Sequence, residues 1–144
     1  MLRLFALTIS FLSAAPTQAG QVRVRLAKSG EQIRVSGNFK CAARSVASPL
    51  AKRVGSKLLV AGQAVPKGLC SGAGHFVYKG MSWDGGAELR LHGSSVILVG
   101  LIDLEKYVAG VVAAELLPGW PMASLQAMAV AARSYTLWRI GQTS

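Results

Sequence analysis

Ser95-Val96-Ile97-Leu98-Val99-Gly100-Leu101 runs straight into Ile102-Asp103-Leu104-Glu105-Lys106-Tyr107-Val108-Ala109-Gly110-Val111-Val112-Ala113-Ala114-Glu115, and the change of period within this stretch decides the fold class. Its first part is short, nearly all apolar and rich in β-branched residues, which predicts a strand covered on both faces. Asp103 is a good N-cap, because its carboxylate can accept from the free N–H groups of a first helical turn. Leu104, Tyr107, Val108, Val111 and Val112 then recur at i, i+3, i+4, i+7 and i+8, the spacing of an amphipathic helix, which Pro118-Gly119 closes. Pro121 suits the first turn of a second helix running through Leu125, Met128, Ala129 and Ala132 towards Ile140 and stopping at Gly141. The alanines at 127, 129, 131 and 132 permit close approach of a neighbouring backbone.

Upstream the period is two. Val22, Val24 and Leu26 alternate with Arg23 and Arg25, which puts apolar side chains on one face of a strand and guanidiniums on the other. Ile33 and Val35 flank Arg34 in the same way. Lys57–Val60 and Phe76–Tyr78 are short apolar runs bounded by glycine, and Asp84-Gly85-Gly86 reads as a turn before the alternating Ala87–Leu91. Residues 41–55 are rich in Ala and Ser without a clear period and read as loop. The fold class is therefore α+β, a strand-rich region over 20–100 followed by two packed helices within 101–144.

Residues 1–19 read as a secretory signal. Arg3 is the positive start, Leu4–Leu12 the apolar core, and Thr17-Gln18-Ala19 supplies small residues before a cleavage at Gly20. An uncleaved anchor is the rival, and the run falls short of the roughly 20 apolar residues of a spanning helix. The 144 residues carry a net charge of +10, with 16 basic and 6 acidic side chains. The charge is lopsided: between residues 20 and 100 only Glu31, Asp84 and Glu88 oppose the cations, whereas from residue 101 the signs balance. A basic front half in an exported chain predicts an anionic surface or wall polymer as partner rather than nucleic acid, with contact to a membrane only if the signal stays uncleaved. For any single Lys or Arg, a solvated strand face is the simpler reading. The composition is that of an ordinary globular chain, too short for a large α/β enzyme.

Cys41 and Cys70 are the chain's two cysteines. Behind an export signal an even pair reads first as a disulfide, with free thiols as the rival. A metal site would have to enlist His75 and His92, and neither C-x-x-C nor H-x-x-H spacing is present, so no metal and no cofactor are expected. Ser71-Gly72-Ala73-Gly74 lacks the continuation of a phosphate loop and reads as a turn. No Ser, His and Asp stand at nucleophile-elbow spacing.

Glu115 extends the stripe of Val108, Val111 and Val112 by i+7, i+4 and i+3. A carboxylate ending an apolar stripe just before a helix stop is expected to face the core or a cleft, where desolvation favours the protonated form a general acid needs. The rival reading swings Glu115 to solvent or pairs it with Arg133. Tyr107 and Trp120 read as core side chains ahead of sugar-stacking ones, and Asp103 and Glu105 as helix N-terminal charges.

Tyr78-Lys79-Gly80, the stretch from Leu101 to Glu115, and Pro121 followed by Ala127-Met128-Ala129-Val130-Ala131-Ala132-Arg133-Ser134-Tyr135 together resemble the SpoIID/LytB family, the stage II sporulation protein D and amidase-enhancer proteins. The resemblance implies a peptidoglycan lytic transglycosylase acting on glycan strands stripped of stem peptides, exported to the periplasm or cell wall. It places the family's catalytic glutamate on Glu115, with Arg133, Trp120 and Tyr107 as candidate substrate contacts. It also implies an N-acetylmuramoyl-L-alanine amidase as a partner, and a non-catalytic, wall-binding amidase enhancer as the alternative. Family members continue well beyond the Ala-Ala-Arg-x-Tyr helix, so a chain ending at Ser144 is expected to be a front half, truncated, weakly stable and nearly inactive alone.

Overall fold

The computed structural model describes residues 20–142; the signal expected over 1–19 lies outside the described residues. β1 (Gln21–Ser29) realises the alternation read from the sequence, with Val22 and Val24 buried and Arg23 and Arg25 on the opposite side. β2 (Gln32–Arg34), β3 (Ser36–Cys41), β4 (Arg44–Ala47), β5 (Leu50–Val54), β6 (Lys57–Val60) and β7 (Gln63–Ala64) follow as short strands. After a single 3-10 turn come β8 (Leu69–Tyr78), β9 (Met81–Asp84), β10 (Gly86–His92) and β11 (Ser95–Asp103), then α1 (Leu104–Glu115) and α2 (Met122–Gly141). The class is α+β, strands first and helices last.

A seven-stranded antiparallel sheet runs in the order β1-β11-β10-β8-β3-β4, with β9 also paired to β8. A four-stranded sheet, β2-β5-β6-β7, lies against part of its inner face. Ile33, Ala51, Leu58 and Val60 of the small sheet meet Phe39, Cys70, Leu89 and Leu98 of the large one in the main core. A second cluster, Val22, Val24 and Ile102 with Tyr107 and Val108, seats α1 on the same inner face beside the small sheet. β11, paired with β1 on one side and β10 on the other, is buried along almost its whole length, as a continuously apolar strand must be.

Two segments differ from the sequence reading. Within 41–55, read as loop, β4 pairs with β3 and β5 pairs with both β2 and β6. β4 is an edge strand of the large sheet and β5 an inner strand of the small one; no clear apolar alternation marks either, and ladder hydrogen bonds hold them instead. Ser71–Gly74, read as a turn, is the middle of β8. Gly72 is small because it is crowded, not because the chain turns: a Cβ there would lie 3.1 Å from both the Asn38 carbonyl oxygen and the Phe39 ring.

Asp84-Gly85-Gly86 does not reverse the chain either. β9 and β10 both pair with β8, so the two form one strand line interrupted at Gly85, whose N–H donates to the Gly74 carbonyl at 2.6 Å. Gly85 has φ +134°, and a Cβ there would lie 2.3 Å from the Leu101 carbonyl oxygen. Gly85→Ala must therefore move backbone here or in β11. We expect it to cost about 2–3 kcal/mol or more, the upper range for a strained backbone position, read as a lowered urea midpoint with an unchanged slope.

Cys41 and Cys70 face each other in register on β3 and β8, are joined as a disulfide with Cα atoms 4.3 Å apart, and are both buried.

Candidate active site

α1 begins where β11 ends, because Asp103 caps it: its Oδ1 accepts from the Glu105 N–H at 2.9 Å and the Lys106 N–H at 3.1 Å. One face of α1 goes into the core through Tyr107 and Val108, and α2 packs along it through Ala129 and Ala132. The alanines allow this close contact, but the two helices do not close over their whole length. Between them lies a largely apolar groove of about 630 Å³. Val112, Leu116 and Leu117 contribute from α1 and the connection after it, and Leu125 and Ala129 from α2. Glu105 and Arg133 stand at its charged end, paired through two hydrogen bonds, Nε to Oε1 at 3.1 Å and Nη2 to Oε2. This pair raises the Arg133 pKa further above its ordinary value, through the hydrogen bond first and the charge second.

Glu115 is the last residue of α1, immediately before the connection Leu116–Gly119 that lines the groove. The structure corrects two expectations about it. Its side chain is exposed, so the desolvation expected from the apolar stripe is absent in the unliganded chain: the stripe turns outward where the helix runs past the sheet. Arg133 bonds to Glu105, nearly three turns nearer the start of α1, rather than to Glu115. Tyr107 is buried in the core between sheet and helices, where burial foremost, with the neighbouring charge of Tyr135, pushes its hydroxyl above the ordinary 10.0. Trp120 departs from the core reading: it is 48% exposed in the connection between the helices. α2 packs Leu125, Met128, Ala129 and Ala132 while Val130, Tyr135, Leu137 and Trp138 remain at least half exposed.

The register also brings together residues that spacing in the sequence did not. On the β8–β9 hairpin His75 lies opposite Asp84, its Nδ1 3.4 Å from Asp84 Oδ1, and Ser82 Oγ lies 3.2 Å from its Nε2. The chain Ser82–His75–Asp84 stands in open solvent, with His75 and Asp84 57% and 67% exposed. It therefore lacks the water-excluded setting in which such a chain activates a hydroxyl. Its structural role is clearer. Lys106 Nζ donates to Asp84 Oδ2 at 3.2 Å, tying the first turn of α1 to the hairpin.

That hydrogen bond, then the one from His75, holds the Asp84 carboxyl below its ordinary 3.8. A depressed carboxylate contributes stability that is present above its ordinary pKa and lost as pH falls through the folded value. Lys106→Gln should therefore move the Asp84 titration, followed by carboxyl carbon NMR, towards 3.8 and reduce the acid-side dependence of stability. A midpoint that stays put would show that the hydrogen bond does not set it.

Among the described residues no cluster of three or more His, Cys, Asp or Glu side chains is placed to hold a metal ion, and no helix is long and apolar enough to cross a membrane.

The geometry isolates one unit: the strand β11, the capped helix α1 ending on a carboxylate, and α2 across a groove. A family model of SpoIID, stage II sporulation protein, matches residues 92–143, the span of this unit. Over these residues the chain is similar to the SpoIID family. An uncharacterized protein of Brachyspira hyodysenteriae is 37% identical over 65 residues, which are 45% of this chain and 18% of that relative. The chain thus spans less than a fifth of the length of the relative it matches. No solved structure matches it.

Proposed function

We propose that the chain is a lytic transglycosylase of the SpoIID type, acting on peptidoglycan glycan strands stripped of stem peptides, with Glu115 as its acid and base. The observation that carries this reading is the position of Glu115. A carboxylate ends α1 one residue before Leu116, where the connection begins to line the interhelical groove, within the segment that the family model matches. The Glu115 carboxyl gives its proton to the oxygen bridging N-acetylmuramic acid and N-acetylglucosamine, and the C1–O bond breaks. The carboxylate then takes the proton of the muramic acid C6 hydroxyl as that oxygen closes on C1, leaving a 1,6-anhydro end. No water is consumed, and one carboxyl serves both steps because the nucleophile is intramolecular, unlike the two-carboxylate arrangement of hydrolytic glycosidases. A glycan strand laid along the groove would itself displace water from Glu115 and supply the desolvation that the free chain lacks. Trp120, exposed and next in sequence to groove-lining Gly119, and Arg133 are the candidate sugar contacts; buried Tyr107 supports the helix from below.

The reading includes export to the periplasm or cell wall and an amidase partner that strips the stem peptides. A second reading, an amidase-enhancing wall-binding module without catalysis of its own, is favoured by the exposure of Glu115. Incubation with denuded glycan strands and mass spectrometry of the products separates the two. Anhydromuramyl ends support the transglycosylase, and their absence together with stimulation of an amidase supports the enhancer.

A further inference from the structure

We infer that the outer face of the seven-stranded sheet binds an anionic polysaccharide, at a surface separate from the interhelical groove. Residues opposite each other in an antiparallel ladder project from the same face. The register therefore sets out three rows. Arg23 lies beside Leu101 and Gly86; Arg25 beside Val99, Glu88, Ser71 and Lys40; and Lys28 beside Ile97, Arg90 and Leu69. A register shift between Arg25 and Ala27 turns Leu26 inward and brings Lys28 back to the outer face.

Five cations stand in these rows against Glu88, and Glu88 is already occupied by Arg23, bound through both nitrogens, and by Arg90 at 3.8 Å. Arg25, Lys28 and Lys40 have no acid in their rows beyond it. Farther along the β9–β10 line, Asp84 is taken by Lys106. The floor between the cations is apolar: Ile97 and Val99 are 0% and 1% exposed. Arg23 and Arg90, held by Glu88, are ordered before a ligand arrives, which lowers the entropy cost of binding.

The chemistry of the face selects the partner. Guanidinium forks suit carboxylate or phosphate groups, and exposed Asn38, Ser45 and Ser71 among them can bond hydroxyls. No aromatic side chain projects from these rows, so the stacking platform of single-strand nucleic-acid binders is missing. A sheet face offering both cations and hydroxyl partners fits a polyanionic sugar chain. α1 seats on the inner side of the sheet, so this surface does not depend on Glu115 being catalytic.

The test is binding of the full chain to fluorescent polygalacturonate, with neutral dextran of equal length, duplex and single-stranded DNA, and phosphatidylglycerol vesicles as competing probes. Polygalacturonate should bind best, weaken with added salt, and bind Glu115→Gln as it does the parent. The triple variant Arg25→Gln, Lys28→Gln, Lys40→Gln should lose at least about tenfold in affinity, while Arg34→Gln, Lys52→Gln, Lys57→Gln, an equal charge loss on the exposed small sheet, should lose less than about twofold. Exchange of Arg25, Lys28 and Lys40 for the other basic type, checked for an unchanged melting temperature, should keep binding. Equal losses in the two triples would reduce the effect to net charge and overturn the surface; tighter binding of DNA or vesicles would overturn the partner.

Discussion

Glu115→Gln should abolish formation of anhydromuramyl ends from denuded glycan while leaving the fold intact. Loss of a general acid–base group costs about a hundredfold to ten-thousandfold in rate, and here one group is asked to serve both the protonation and the ring closure, so the upper part of that range is expected. The stability cost should be within about 0.5 kcal/mol, because surface substitutions away from packed or paired groups rarely do more, and Glu115 is an exposed last residue of α1. This separation of effects is what makes the experiment decisive. A folded Gln variant, checked by its melting temperature, that still releases anhydro products at the parent rate would remove Glu115 from the mechanism. Arg133→Ala is the companion control. It breaks the Glu105 pair at the charged end of the groove, so it should loosen α2 and raise KM without removing the acid.

Reduction of the Cys41–Cys70 bridge should destabilise the chain by about 3–4 kcal/mol, the chain-entropy figure for closing a loop of this length, against a total of about 5–15 kcal/mol for a domain. The separation of 29 residues joins neighbouring strands of the large sheet, and Cys70 is 0% exposed within the main core. Reduction thus releases a constraint from the unfolded chain. Cys70→Ser adds a buried hydroxyl that must find a partner. Protein purified without reductant should show no reactive thiol before reduction and two after it. Its urea midpoint should fall on reduction with dithiothreitol. Two free thiols before reduction, or a midpoint unmoved by it, would contradict the expectation.

The exposed apolar side chains of α2 carry a further expectation. Val130, Leu137 and Trp138 are at least half exposed on one helix, and apolar patches of this kind promote association. The chain should bind a hydrophobic dye in the native state, and Val130→Glu with Leu137→Lys should lower that binding without lowering the melting temperature. Unchanged dye binding would place the exposed apolar surface elsewhere.

How far the sequence alone reached follows from which signals are local. The capped helix, the apolar stripe of α1, the alternation in β1 and the continuous apolar run of β11 are periodic patterns set by backbone geometry, so the sequence determined them and with them the α+β class and the order of its elements. The likeness around Leu101–Glu115 and Ala127–Tyr135 also stands in the linear order of residues. The glycines misled because glycine has two uses: at 72 and 85 it admits close neighbours inside continuous strand lines rather than turning the chain. Strands β4 and β5 escaped notice because pairing with other strands defines them, and their own composition does not. Tertiary structure alone decided the rest. It gave Arg133 to Glu105 and Lys106 to Asp84, left Glu115 and Trp120 in solvent, and set Arg23, Arg25, Lys28, Lys40 and Arg90 on one face. The physical reason is that period fixes which side of an element a residue occupies, whereas what stands opposite that side depends on pairing and packing across distant parts of the chain.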